Sequence, residues 1–170
     1  MLASGEGPGG TDRDKPSKII VGSDPAIVSD KRVLEFYRYW LARRGERRFP
    51  RRADIEPTDI PHLLSGIMLL DVHYDPLDFE YRLIGDAIVS RLGSLKGRRV
   101  REAALLNLAS SAYDNYCRMI ESGVPQFLEG SAILAYRPGR PTLMSRVHCP
   151  LSTDGTTIDK IISYFAFLDR

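Results

Sequence analysis

The stretch DFEYRLIGDAIVSRLGSLKGRRVRE, Asp78 to Glu102, passes from one periodicity to another and punctuates the change with glycine. Phe79, Tyr81 and Leu83 alternate with Glu80, Arg82 and Ile84, the period-2 pattern of a strand with one buried face. Gly85 ends it. Asp86 is placed to cap a helix whose apolar positions Ile88, Val89 and Leu92 fall one turn apart, and Gly93 stands where a left-handed stop is wanted. A helix of two turns does not persist alone, so Ile88 and Leu92 must pack on something larger, and a sheet is the candidate. Gly97, before Arg98-Arg99-Val100, reads as a tight turn where a side chain would obstruct the backbone.

Upstream, Ile67 to Tyr74 reads as a strand, joined to Phe79–Ile84 by a hairpin through Asp75-Pro76-Leu77. Pro57 and Pro61 place one or two short helical turns between Asp54 and Leu64. Before them, Ser29 or Asp30 caps a helix running to about Arg44, with Val33, Phe36, Tyr37, Trp40 and Leu41 at three- and four-residue intervals and Gly45 as its stop. That stripe holds the only tryptophan of the chain. It must be covered, by this chain's sheet or by a second subunit.

Downstream the period becomes 3.6. Leu105, Ala109, Ala112, Tyr116 and Met119 share one helical face, closed by Gly123. Gln126 to Tyr136 reads as a strand, interrupted at Gly130 and stopped by the turn Arg137 to Pro141. Thr142 to Leu151 alternates, with Leu143, Val147, Cys149 and Leu151 on one face and Met144, Arg146 and His148 on the other. Asp154-Gly155 signals a hairpin into a last strand, Ile158 to Leu168. Both faces of that strand are apolar, so it needs two covers, and the aromatic helix at Val33 to Leu41 is the natural second one.

With 170 residues and 43% hydrophobic content, the chain has material for one sizeable core and more. The expected organisation is a flexible tail over residues 1–28, rich in Gly, Ser, Pro and charge, and a single domain over 29–170 that includes the N-terminal helix 29–44. Within the tail only Ile19-Ile20-Val21 is suited to docking, as a short strand along a sheet edge. No apolar run approaches the roughly 20 residues of a membrane span. The N-terminus lacks the order of a secretory signal, so a cytoplasmic location is expected. Cys117 and Cys149 form no metal or redox spacing and are expected to be reduced core thiols. The net charge of +2 hides a basic segment: Lys31 to Arg52 carries nine Lys or Arg residues against Glu35 and Glu46. Such a segment meets an anionic partner or the protein's own acidic surface.

The order β-β-α-α-β-β-β in one antiparallel sheet is an α+β layer architecture. With these residues in hand, the chain resembles the PAS domains, and in particular the small PAS-fold family found largely in alphaproteobacteria. The matching motifs are YRYWLARRG (Tyr37 to Gly45), FPRRADIEPTDIPHLL (Phe49 to Leu64), YRLIGDAIVSRLGSLKGRRVRE (Tyr81 to Glu102) and PLSTDGTTIDKII (Pro150 to Ile162). The resemblance implies a five-stranded antiparallel sheet of order 2-1-5-4-3 with helices on one face. It also implies a ligand pocket between the sheet and the helices at Asp86 to Leu92 and Leu105 to Ser122. The implied role is regulatory rather than catalytic. PAS domains commonly dimerise through a helix preceding the first strand, the place occupied here by Val33 to Leu41. Phe36, Tyr37, Trp40 and Leu41 are therefore the expected dimer face.

The expected ligand-binding residues are Tyr81, Leu83, Ile88, Leu92 and Tyr116 from the centre of the chain, with Phe127, Ile133, Leu143 and Val147 from the later strands. The bland alternative for each is ordinary core. No catalytic set and no metal site are expected: Asp71 and His73 are the nearest approach to an acid–base pair. Haem would want an axial histidine, and His62, His73 and His148 all lie off the pocket helices. Flavin is not expected either, since Asn115-Tyr116-Cys117-Arg118 departs from the Asn-Cys-Arg of light-sensing domains. A carboxylate ligand would want a pocket arginine, for which Arg146 and Arg82 are available, with surface exposure as the plainer fate of each.

The leading expectation is a stand-alone sensory or interaction module that binds a small molecule or a separate signalling protein. It would act through its N-terminal helix or by homodimerising, with no fused output domain. The alternative is an adaptor that binds nucleic acid or an acidic protein through Arg43 to Arg52. A small enzyme built in the same cavity is the third reading.

Overall fold

The computed structural model describes residues 19–105, 111–133 and 141–168. Six strands form one antiparallel sheet: β1 (Ile20–Gly22), β2 (Ile67–His73), β3 (Asp78–Ile84), β4 (Gln126–Ile133), β5 (Pro141–Leu151) and β6 (Lys160–Phe167), in the order β1-β4-β5-β6-β2-β3. Without β1, the remaining order is the 2-1-5-4-3 arrangement implied above, read from the other edge. The helices are α1 (Lys31–Arg44), α2 (Asp86–Leu92), α3 (Val100–Leu105) and α4 (Ala112–Ser122).

The sheet is covered on both faces, by α2, α3 and α4 on one and by α1 on the other. Its inner face carries α2, α3 and α4 over a core of Met68, Leu70, Phe79, Tyr81, Ile88, Tyr116, Met119, Ile161 and Phe165. On the outer face α1 packs Val33, Phe36 and Trp40 against Phe127, Val147, Cys149, Ile162 and Tyr164. Sheet residues alternate between the faces, so β6, with six consecutive buried residues, feeds both cores. That is why both of its faces are apolar.

Asp30 caps α1 by accepting from the Arg32 amide at 2.8 Å. At the far end, the Gly45 amide closes the helix on the Leu41 carbonyl. Trp40 is wholly buried, and its indole N–H donates to the Pro150 carbonyl at 3.0 Å. Phe36 stacks on Tyr164 with ring centroids 5.8 Å apart, and Tyr37 meets Phe127 edge-on at 4.9 Å. The stripe is covered by this chain's own sheet. Phe36 and Trp40 are thus removed from the expected dimer face, and Tyr37 and Leu41 are packed partly into the same core.

Within the opening stretch, α2 begins one residue earlier in its cap than expected, with Gly85 as N-cap and Asp86 at the first helical position. Gly85 is required by close approach: an added Cβ would stand 2.3 Å from the Ser65 carbonyl oxygen. Gly97 (φ +81°) lets the turn pair back on β3, its amide donating to the Tyr81 carbonyl at 2.7 Å. The helix expected to start at Leu105 differs. Leu105 ends α3 and is 86% exposed, and α4 begins separately at Ala112. The face shared by Ala112, Tyr116 and Met119 holds, and Ala109 lies outside the described residues.

Of the expected tail, described residues 19–28 include β1, a 3-10 turn at Pro25–Ile27 and the buried Val28. β1 pairs with β4, Ile20 opposite Glu129 and Val21 opposite Leu128, giving partners to an edge that would otherwise be open. This is the sixth strand, beyond the five implied. β4 continues through Gly130, which pairs with Met144, so no interruption occurs there.

Candidate functional site

The strand alternation of β5 decides what the site contains. Arg146 stands opposite Leu128 on β4 and Phe165 on β6, and His148 opposite Gln126 and Ser163. All of these point to the inner face, where α4 brings Tyr116 down onto them. The Tyr116 and His148 rings meet at 4.9 Å, and His148 Nδ1 lies 2.6 Å from Ser163 Oγ. Phe79 sits 5.3 Å from the Tyr116 ring and 5.8 Å from that of Tyr113, closing an aromatic wall. Tyr81, from the opening stretch, is buried beside them.

Electrostatically, the partly buried Arg146 sets one positive charge beside neutral polar groups. Burial, followed by the positive Arg146, lowers the His148 imidazole well below its ordinary value, so the ring is neutral. Burial pushes the Tyr116 phenol up to about 12 and the Tyr81 phenol higher still, so both remain protonated donors. Arg146 Nε is enclosed and has no hydrogen-bond partner among the described residues, and the guanidinium carbon lies 5.5 Å from the Phe165 ring centroid. The expectation that Arg146 is a surface residue is corrected. Arg82 does take the surface fate, pairing with Asp71 at 2.9 Å and with Glu80 at 3.4 Å.

The expected ligand-binding residues divide between the two faces. Tyr81, Ile88 and Tyr116 are buried together on the inner face, with Leu92 partly buried against them. Phe127 and Val147 belong to the outer core beneath α1. Leu83 is outward and 45% exposed, and Leu143 is 37% exposed. Ile133 lies on β4 opposite Pro141, and its side chain lies outside the described residues. A single pocket made of all nine is excluded, because Phe127 and Val147 belong to the outer layer and Tyr81, Ile88 and Tyr116 to the inner one, and the register shift at Leu69–Leu70 turns Leu83 to the opposite side from Tyr81. His148, not among the expected residues, was detectable from the alternation of β5, which groups it with Met144 and Arg146, and Ser163 from that of β6, where it lies between Ile161 and Phe165.

Leu83 instead lines an apolar groove of about 550 Å³ on the outer side, with Ile55, Ile60, Leu64, Leu69 and Ile162. The groove lies between β2 and β3 and the 3-10 turns Arg52–Asp54, Pro57–Asp59 and Pro61–Gly66. Its size falls within the range of small-molecule sites.

The basic segment is engaged by its own chain. Arg43 pairs with Asp59, and Arg47 with Asp54 at 2.8 Å. Arg44 lies over the Trp40 ring at 5.5 Å and Arg48 over Phe49 at 4.8 Å. Both cysteines are free, Cys149 buried and Cys117 half-buried. Among the described residues no group of three or more His, Cys, Asp or Glu side chains gathers as a metal site, and no helix is long and apolar enough to cross a membrane. Asp71 and His73 take separate partners, Lys160 and Glu80.

A family model described as PAS domain matches residues 28–137, from the residues before α1 to just beyond β4. Strands β5 and β6, which carry Arg146, His148 and Ser163, follow the matched segment and complete the sheet. No curated protein and no solved structure matches the chain.

Proposed function

Because this chain belongs to the PAS domain family, we propose that it is a regulatory module in which the state of the inner face is read out by α1. The observation that carries this reading is the sharing of β5 and β6 between the two cores. Arg146, His148, Ser163 and Phe165 face α4, while their strand neighbours Val147, Cys149 and Tyr164 hold Phe36 and Trp40. A small molecule that shifts the inner residues moves the same two strands beneath α1, because a close-packed layer transmits displacement. The outward residues of α1, among them Glu35, Arg38 and Ala42, are what a partner protein or a second copy would meet. Residues 29–170 act as the sensing unit, and its role is regulatory rather than catalytic. The internal partners of Arg43, Arg44 and Arg47 favour this reading over an adaptor working through the basic segment.

The test perturbs one face and reads the other. Tyr116→Leu removes an inner ring, and amide exchange is followed over α1 and α4 together with Trp40 emission, which is site-specific because the chain has one tryptophan. The expected result is faster exchange in α1 and a shifted emission maximum. A change confined to α4, with α1 and Trp40 as in wild type, would sink the proposal.

A further inference from the structure

We propose that the groove on the outer side of the sheet is a small-molecule site for a medium-chain aliphatic carboxylate, its head group held by Arg52. The groove lies across the sheet from the residues of the regulatory reading above, and the site does not rest on that reading.

The groove is apolar where the surface is open. Leu64 is 38% and Leu83 45% exposed, and both line it. A single exposed leucine needs no explanation, but these two share one concavity of about 550 Å³ with Pro57 and Pro61, a size suited to a small organic molecule. Its floor is firm. Ile55, Ile60, Ile67 and Ile162 are buried there and belong to the core that holds Phe36 and Trp40. The walls are fixed as well: Pro57 and Pro61 each set the backbone at the start of a 3-10 turn, and Gly85 lies so close to Ser65 that a Cβ would run into its carbonyl oxygen. A shape held before binding saves the cost of ordering the site around its ligand.

The polar lining sets the head group. Arg52, Ser65 and Asp86 are the polar side chains of the groove among the described residues. Arg52 is partly buried, and its Nη1 donates to the Ile55 carbonyl at 3.0 Å. That bond holds the guanidinium at the wall and leaves its other N–H groups unengaged among the described residues. The acids nearest in sequence are already taken, Asp54 by Arg47, Asp59 by Arg43 and Glu56 by the Thr58 hydroxyl. A carboxylate presents two oxygens in the plane of the guanidinium fork, and the apolar walls favour an aliphatic body over a hydrated inorganic ion. Asp86 gives the site a direction. It is exposed and follows Gly85 beside the last turn, Pro61–Gly66, whereas Arg52 belongs to the first, Arg52–Asp54. An anionic head is drawn to Arg52 and repelled by Asp86, which sets the sense in which the aliphatic body lies along the groove.

The experiment is isothermal titration of the full chain with octanoate, octanol and octylamine, which share a body and differ in charge, for wild type, Arg52→Gln and Leu83→Glu. Methyl spectra of the wild-type protein with octanoate give the location. Octanoate is expected to bind about ten-fold tighter than octanol, the gain of one charge-assisted contact at a partly exposed site. Arg52→Gln should erase that preference and Leu83→Glu should abolish binding, while the methyls that shift should be those of Ile55, Ile60 and Leu83. No octanoate binding at millimolar concentration, equal binding of acid and alcohol, or a preference that survives Arg52→Gln would each overturn the site. Octylamine binding as tightly as octanoate would give the head group to Asp86 and overturn the carboxylate. Shifts confined to Ile88 and Leu92 would move the ligand to the inner face and overturn the groove. A dimer that forms with concentration in sedimentation and is split by Leu83→Glu would assign the groove to a second copy of the chain and overturn the small-molecule site. Both substitutions fall on side chains open to solvent, so unchanged melting temperatures are expected. If a variant melts early, the comparison of the three ligands and the methyl shifts on wild type still decide.

Discussion

Arg146 and His148 share one strand face, two residues apart, and the charge of the first acts on the buried ring of the second. For His148 the consequence is a pH dependence with a definite sign. Burial, and after it the positive Arg146, keeps the folded-state imidazole well below its usual value, while in the unfolded chain it takes up a proton near pH 6.5. The unfolded state therefore binds more protons, and stability falls as pH drops from about 6.5 toward the lower folded-state value. His148→Gln should flatten this slope between about pH 6.5 and 5. Urea midpoints for the two proteins that run parallel across that window would contradict the assignment. Asp30, held low chiefly by Arg32, and Asp154, held low chiefly by the Thr157 amide, lose their contributions only nearer pH 4, so they leave the window clear. The alternation of Met144, Arg146 and His148 is plain in the sequence. That this face meets α4 rather than solvent is not, because alternation says which residues share a side and never what covers it.

The helix α1 is where element-level reading met its limit. Its aromatic stripe was legible from spacing, as were its cap at Asp30 and its stop at Gly45. The occupant of the stripe was not, since a sheet of the same chain and a second subunit present the same apolar chemistry. Trp40 shows the outcome: fully buried, with its N–H satisfied by Pro150 across 110 residues of sequence. Trp40→Phe should keep the fold and cost about 1–3 kcal/mol, because the Pro150 carbonyl loses a buried partner. Trp40→Glu places a carboxylate in that core and should leave the chain largely unfolded, not folded and dissociated. Urea denaturation followed beside sedimentation distinguishes the two, and a Trp40→Glu protein that stays fully folded at half the wild-type mass would restore the helix as a dimer face. The short helix α2 needed no such arbitration. Two turns flanked by Gly85 and Gly93 have only one way to persist, by packing Ile88 into a larger layer, and Gly85 touches the Ser65 backbone as that packing demands.

At the scale of the whole molecule, strand order places β2 beside β6, joining the first and last strands of the PAS-like core. β1 then caps β4, whose edge would otherwise offer unpaired amides and carbonyls to another chain. A chain lacking residues 1–23 is expected to associate with rising concentration, seen as a growing weight-average mass by light scattering. A concentration-independent mass equal to that of the full chain would show that β1 has no such protective part. The sequence by itself determined the elements that depend on neighbours a few residues away: the alternation of β3 and β5, the caps and stops of α1 and α2, the turn at Gly97, and with them the family. Only the tertiary structure decided which layer each face meets. Spacing encodes periodicity, whereas burial depends on contacts between residues far apart in sequence. That is why Leu83, Phe127 and Val147 left the expected pocket, why Trp40 went to the core, and why Arg146 is partly buried, with its guanidinium beside Phe165.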